Sequence, residues 1–272
     1  MWWTWKAWWR RRVLKRGLVP VASWRAAVAE LPLLARYTPS EQHRLRELAT
    51  LFLHEKVIVG AGDLQLEEAM QVRIAALACL PVLNLDLDYL RGWVEIIVYP
   101  GQFTPEHEYT DEAGVVHVTH HPLAGEAWLQ GPLVLSWEDI LASGRGDGFN
   151  VVIHELAHKL DMLDGEANGF PPLHEGMAGE AWTQAFAEAF ADMRRRDEGG
   201  EDTVLDPYAA EDPAEFFAVM SEAFFETPHL LAQTYPAVYE QLRVFYRQDP
   251  DAGGTISHED EYRHAVRHGA RG

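Results

Sequence analysis

The residues of this chain best suited to chemistry are two histidines four positions apart, with a glutamate after the first: His154-Glu155-Leu156-Ala157-His158. On a helix, positions i and i+4 share a face one turn apart, so both imidazoles can reach one Zn²⁺ at about 2.0–2.1 Å. Glu155 can then take a proton from water that the metal activates. Zinc lowers the pKa of such water to about 7 and polarises a carbonyl, two requirements of amide hydrolysis. The motif therefore predicts one Zn²⁺ per chain and a peptide or protein substrate.

A catalytic zinc site needs a third protein ligand and one open position. Asp164 lies ten residues after His154, where some zinc peptidases place their last ligand, but the glycine that turns the chain in that arrangement is replaced by Asp161. Asp161 shares the His154–His158 face, where it would orient a ligand histidine or solvate the helix end. Glu215, Glu222 and Glu226 offer a more distant source on one face of a second helix. Glu215 is three residues after Asp212 and could instead close a capping box. Spacing alone leaves Glu215 and Glu222 level.

The elements that must position these groups are legible from punctuation and period. Asn150 is an N-cap for the motif helix, which the apolar run Val151-Val152-Ile153 and Leu156, Ala157 and Leu160 would bury. Asp212-Pro213-Ala214-Glu215 starts a helix through about Phe225, with proline at its first position. Upstream, a short helix is expected over 21–31. A longer one runs from the capping box Thr38-Pro39-Ser40-Glu41 to about Lys56, and a third spans 66–80 and stops at Pro81. The segments 93–99 (WVEIIVY) and 132–137 (PLVLSW) read as strands. Between them, 106–121 suggests a hairpin or an active-site loop, whose His117, His120 and His121 would be ordinary loop histidines or else contact substrate or gate the zinc. Ser143–Gly148 is a glycine-rich turn without phosphate-loop spacing. Helices are also expected over 173–196 and 236–247, followed by a polar, frayed tail from about Asp249. Cys79 reads as a core residue.

Composition sets the outer limits. The 272 residues carry a net charge of −19, which argues against a general nucleic-acid binder. One cysteine excludes an intramolecular disulfide framework, so any metal must be held by His and carboxylate. No apolar run is long enough to span a membrane. Residues 1–20 hold six cations and no acid, while the other 252 carry 17 cations against 42 acids, a net of −25. Five tryptophans fall in the first nine positions, ahead of the cations, which is not the order of a secretion signal. This basic arm reads as a floppy tail, an interfacial membrane anchor through residues 1–16, a partner-binding arm, or a cover on the acidic body. A cytoplasmic protein is expected.

The stretches 149–165 (FNVVIHELAHKLDMLDG) and 206–228 (DPYAAEDPAEFFAVMSEAFFETP) resemble the Mlc titration factor A family of zinc peptidases. The similarity extends to 77–83 (LACLPVL), the strand around Ile96–Pro100 and 130–137 (QGPLVLSW), and covers most of residues 25–250. The resemblance implies that Glu215 is the third zinc ligand and that Tyr208 steadies the oxyanion of the tetrahedral intermediate. It further implies an α+β, zincin-like fold of the gluzincin type, with a helical N-terminal part and a small sheet. The active site would be related to that of the anthrax lethal factor catalytic domain. An edge strand, for which 132–137 is the candidate, would bind extended substrate by β-addition. Some family members bind the transcriptional repressor Mlc and so affect glucose-uptake genes, which implies a repressor of that type as a partner. The alternative is a regulator-sequestering protein with a structural zinc. The expected organisation is an arm over 1–20, one zincin-like domain over 21–249 and a tail over 250–272.

Overall fold

The computed structural model describes residues 2–101, 107–110, 116–119, 131–252 and 254–255. It is a mixed, mainly helical fold with a small sheet, in agreement with the α+β class. The N-terminal half is built on three helices: α1 (Trp2–Arg16), α2 (Val21–Val28) and α3 (Pro39–Glu55). Thr38 and Glu41 form the expected capping box at the start of α3, which buries Leu45, Leu48, Leu51 and Phe52. Helix α4 (Glu68–Cys79) is different in kind. Every residue from Val72 to Cys79 is buried, because α2, α3 and the motif helix all pack on it. Its buried alanines Ala75, Ala76 and Ala78 let those neighbours approach closely, and Cys79 is a core residue as expected.

Three parallel strands, β1 (Val57–Gly60), β2 (Glu95–Tyr99) and β5 (Leu133–Ser136), form the sheet in the order β1-β2-β5. Ile58 pairs with Ile96, and Ile96 with Leu133. Parallel neighbours require crossovers, and α4 lies in the connection from β1 to β2. The strand β1 is not among the sequence expectations. Its four residues are too few to declare a period, and its partner lies 38 positions away. The hairpin expected between the other two strands is present as β3 (His107–Thr110) and β4 (Val116–Thr119), paired antiparallel. His120 and His121 lie outside the described residues, as does the side chain of His117. Trp137 is not a strand residue: Ser136 caps a short helix, α5 (Trp137–Ala142), through a bond from Asp139 N.

The C-terminal half carries α6 (Val151–Asp161), α7 (Gly179–Glu198), α8 (Pro213–Glu226), α9 (Pro228–Thr234) and α10 (Pro236–Tyr246). Helix α7 starts six residues later than expected. Before it, His174 bridges the Tyr89 hydroxyl at 3.0 Å and the Phe245 carbonyl at 2.7 Å. The short α9 was not foreseen. Helix α8 is buried almost throughout, with α6 on one side and an aromatic cluster on the other. In that cluster Trp182 stacks on Phe186 at 4.3 Å, and both meet Phe217. Each such ring contributes roughly 1.5–3 kcal/mol of burial, which fixes α8 firmly beside the motif helix. The tail is ordered a little further than expected: Gln248–Asp249 pairs with Gly254–Thr255, and Gln248 is fully buried against the Tyr37 hydroxyl. Residues 256–272 lie outside the described set.

The basic arm is not a floppy tail. It forms α1, packed on α3, with Val13 buried in the common core. Arg10 reaches Glu55 at 2.8 Å, Asp88 at 2.7 Å and Asp86 at 3.0 Å, and Lys6 pairs with Asp88. One side of the helix therefore covers an acidic corner of the body. Among the described residues no helix is long and apolar enough to cross a membrane.

Candidate active site

Asn150 sets the motif helix in place. Its side-chain oxygen accepts Ile153 N at 3.1 Å, the expected N-cap, and its side-chain amide donates to Glu226 Oε1 at 2.7 Å. Its backbone N–H donates to Glu222 Oε2 at 2.6 Å. Glu226 also accepts Gly146 N at 2.7 Å, so the glycine-rich turn is clamped to the end of α8. Two glutamates of α8 thus hold the start of α6. Burial pushes both carboxyl groups up, and the bonds they accept work against that shift.

Asp212 caps α8 by accepting Ala214 N at 2.7 Å and Glu215 N at 3.0 Å. The Glu215 carboxylate is therefore free of any capping role and turns toward α6. His154 Nε2 lies 3.1 Å from Glu215 Oε2, His158 Nε2 lies 3.5 Å from Glu215 Oε1, and the two Nε2 atoms are 3.2 Å apart. Ligands at about 2.0–2.2 Å in a tetrahedron stand roughly 3.3–3.5 Å from one another, so the spacing suits one small cation. The half-buried group His154, His158 and Glu215 is the one metal-capable cluster found among the described residues. Glu215 Oε2 is buried without a well-aligned hydrogen-bond donor, His154 Nε2 facing it at 3.1 Å, and a cation between the two would satisfy it.

The electrostatics agree with the spacing. Burial alone would lower the His154 pKa, yet Glu215 and Glu222 outweigh it and raise it to about 10. Burial would raise Glu215, but the two histidines bring it down to about 2. A site that holds a proton so firmly has a field that favours a cation. Two imidazoles and a carboxylate are a donor set for a first-row divalent ion.

The remaining candidates separate cleanly. Glu222 Oε1 lies 2.8 Å from His154 Nδ1, the nitrogen that faces away from the cluster. It fixes the tautomer that leaves Nε2 free for a metal. Asp164 is exposed and outside the cluster. Asp161 neither orients His158 by a hydrogen bond nor meets solvent. It is buried, and Oδ2 accepts Asn168 N at 2.8 Å and Gly169 N at 2.7 Å, which shapes the loop after α6. Burial raises its pKa to about 6 against those bonds. Glu155 is half-buried, and its charge acts on both His154 and Tyr208. Tyr208 sits on a 3₁₀ turn, Pro207–Ala210, with its ring centroid 6.2 Å from that of His154. Burial first, then the charge of Glu215, pushes its phenol well above the ordinary range, so it stays a donor.

The linkage of Glu222, Glu226 and Asn150 was not read from the sequence. The signal was present, since Glu215, Glu222 and Glu226 share one face of α8, but which group each one meets depends on the helix crossing. Lys159 adds a second tie that no spacing signals: it is buried and donates to Gly131 O at 3.0 Å, joining α6 to the start of β5.

Comparison with known proteins gives the family. The model of the glucose-regulated metallo-peptidase M90 family matches residues 5–247. Mlc titration factor A of Klebsiella pneumoniae is 44% identical over 232 residues, covering 84% of this chain and 86% of the relative. The protein of that name from Pectobacterium atrosepticum has the same identity and coverage. The one from Salmonella agona is 41% identical over 253 residues, 91% of this chain and 92% of the relative. The chain belongs to the glucose-regulated metallo-peptidase M90 family.

Proposed function

We propose that this chain is a zinc-dependent peptidase with a zincin-like fold of the gluzincin type, in which His154, His158 and Glu215 hold one Zn²⁺. The observation that carries the reading is the convergence of two Nε2 atoms and an orphaned buried carboxylate oxygen at the spacing of one ion. When bound, zinc activates water for attack and polarises the scissile carbonyl. Glu155 takes the proton of that water and later delivers it to the leaving amine as the C–N bond breaks. Tyr208, kept protonated, donates a hydrogen bond to the oxygen on which negative charge develops. Glu222 keeps the His154 ring in register. Strand β5, which among the described residues is an edge paired only with β2, is the candidate for binding an extended substrate.

The test is zinc content by elemental analysis together with a peptide-library cleavage profile. Glu155→Gln is expected to retain zinc and to lose roughly 10²–10⁴-fold in cleavage rate. Full activity in that variant would remove Glu155 from the role of base. Glu215→Ala is expected to lower bound zinc, and unchanged zinc would move the third ligand elsewhere.

A second property is favoured by the name the relatives bear, Mlc titration factor A. It is capture of a transcriptional repressor of that type, in the cytoplasm, with or without catalysis. A pull-down of the repressor with a His154/His158 double variant separates the two. Undiminished capture shows that binding is independent of the metal, and lost capture ties it to the site.

A further inference from the structure

Helix α1 divides its cations into two sets. Lys6 and Arg10 point inward and are consumed by Glu55, Asp86 and Asp88. Arg11, Arg12, Lys15 and Arg16 are exposed, and among the described residues none of them is ion-paired. The same outward side carries Trp5 and Trp8, 60% and 56% exposed, with the Arg12 guanidinium 5.6 Å from the Trp8 ring centre. Docking the helix needs none of these six residues. Val13 is buried beneath them, and Trp9 meets His54 edge-on.

Two large aromatic rings left in water beside four unpaired cations form a surface with two chemical demands. The rings gain by leaving water, and the cations gain from fixed negative charge. The outward face is convex, and the cleft on its flank is lined by Lys6, Arg10, Asp86 and Asp88, whose charges already pair with one another. A planar surface of anionic headgroups meets both demands along the whole face, with the indoles at the interfacial depth and the Arg and Lys stems spread around them. The negative charge of the rest of the chain is screened beyond about 8–10 Å, so the helix face sets the local attraction.

We propose that the outward face of α1 docks the protein reversibly on an anionic lipid bilayer, the helix lying flat with Trp5 and Trp8 inserted among the headgroups. Lys6 and Arg10 remain on the body and hold the helix at a fixed angle to it. The inference does not depend on the metal site.

The experiment is flotation of the full chain with two kinds of vesicle: equal parts phosphatidylglycerol and phosphatidylcholine, or phosphatidylcholine alone. The expected result is co-flotation with the anionic vesicles only, weakening as salt is raised. At about fivefold per cation, Arg11→Gln/Arg12→Gln is expected to lower the partition coefficient about 25-fold. Trp5→Ser/Trp8→Ser is expected to lower it by at least about tenfold. Both doubles leave Lys6, Arg10 and Val13 intact, and an unchanged Tm confirms the fold. Failure to float at low salt, equal binding to neutral vesicles, or flotation indifferent to both doubles would each overturn the proposal. So would binding to duplex DNA that is as tight as vesicle binding and insensitive to the tryptophan double.

Discussion

His154 stands between two glutamates of α8 with different tasks: Glu215 faces its Nε2 and Glu222 its Nδ1. The seven-residue spacing of the two glutamates places them on one face, two turns apart. The first joins the ion-sized cluster, and the second supports the ring from behind. Glu222→Gln keeps the shape and removes the anion. A neutral amide cannot serve both His154 Nδ1 and Asn150 N as the carboxylate does, so metal affinity is expected to fall about 10–100-fold in a chelator competition. An unchanged affinity would make Glu222 a packing residue only. The sequence left Glu215 and Glu222 level because helical phase says which face a residue occupies, not which atom it meets across the helix crossing.

Between elements, a close approach near the site is at Gly169, which has φ +77° and donates to Asp161. A Cβ there would stand 2.4 Å from the backbone oxygen of Pro213, the first residue of the helix that carries Glu215. Gly169→Ala therefore combines left-handed strain with a clash that no rotamer relieves. A loss on the order of 1–3 kcal/mol is expected in thermal unfolding, together with weakened metal binding. Equal Tm values would show that the loop yields freely. A second junction lies at the end of α3, where buried Lys56 donates to Leu90 O and Trp93 O beneath the Trp93 ring. Burial lowers its pKa to about 8 despite those contacts. The unfolded chain, with lysine at 10.5, then binds more protons than the fold between pH 8 and 10.5, so this contribution to stability rises with pH across that window. Relative to Lys56→Met, wild type is expected to gain on the order of 2–3 kcal/mol from pH 8 to 10.5 in denaturant titrations. A flat difference would mean that the ammonium is not desolvated.

At the scale of the whole molecule, one apolar cluster runs from Val13 in α1 to Tyr246 in α10, so the basic helix and the metal-capable pair of helices share a core. Arg10 is the polar anchor of α1, set against three carboxylates. Arg10→Ala leaves Glu55 and Asp86 without their cation and Asp88 with Lys6 alone. The expected result is faster proteolytic cutting within residues 2–16 and a stability loss of about 1–3 kcal/mol. Cleavage at the wild-type rate would show that apolar contacts hold the helix without it.

The sequence by itself determined the motif helix, its Asn150 cap, the capped helix bearing Glu215, two of the three sheet strands and the exclusion of cysteine ligands. These are local matters: helical period, capping residues and composition act within a few positions of chain. Spacing left Glu215 and Glu222 level and the resemblance pointed to Glu215; the tertiary structure supplied the physical reason, bringing Glu215 to both Nε2 atoms and Glu222 to the far side of the His154 ring. Only the tertiary structure decided that Asp161 shapes a loop and that β1 is a strand. It also decided that the arm is a docked helix with one side spent on the body and the other exposed. Each of these depends on groups tens of residues apart, whose meeting is set by how buried helices cross, and no spacing along the chain records that angle.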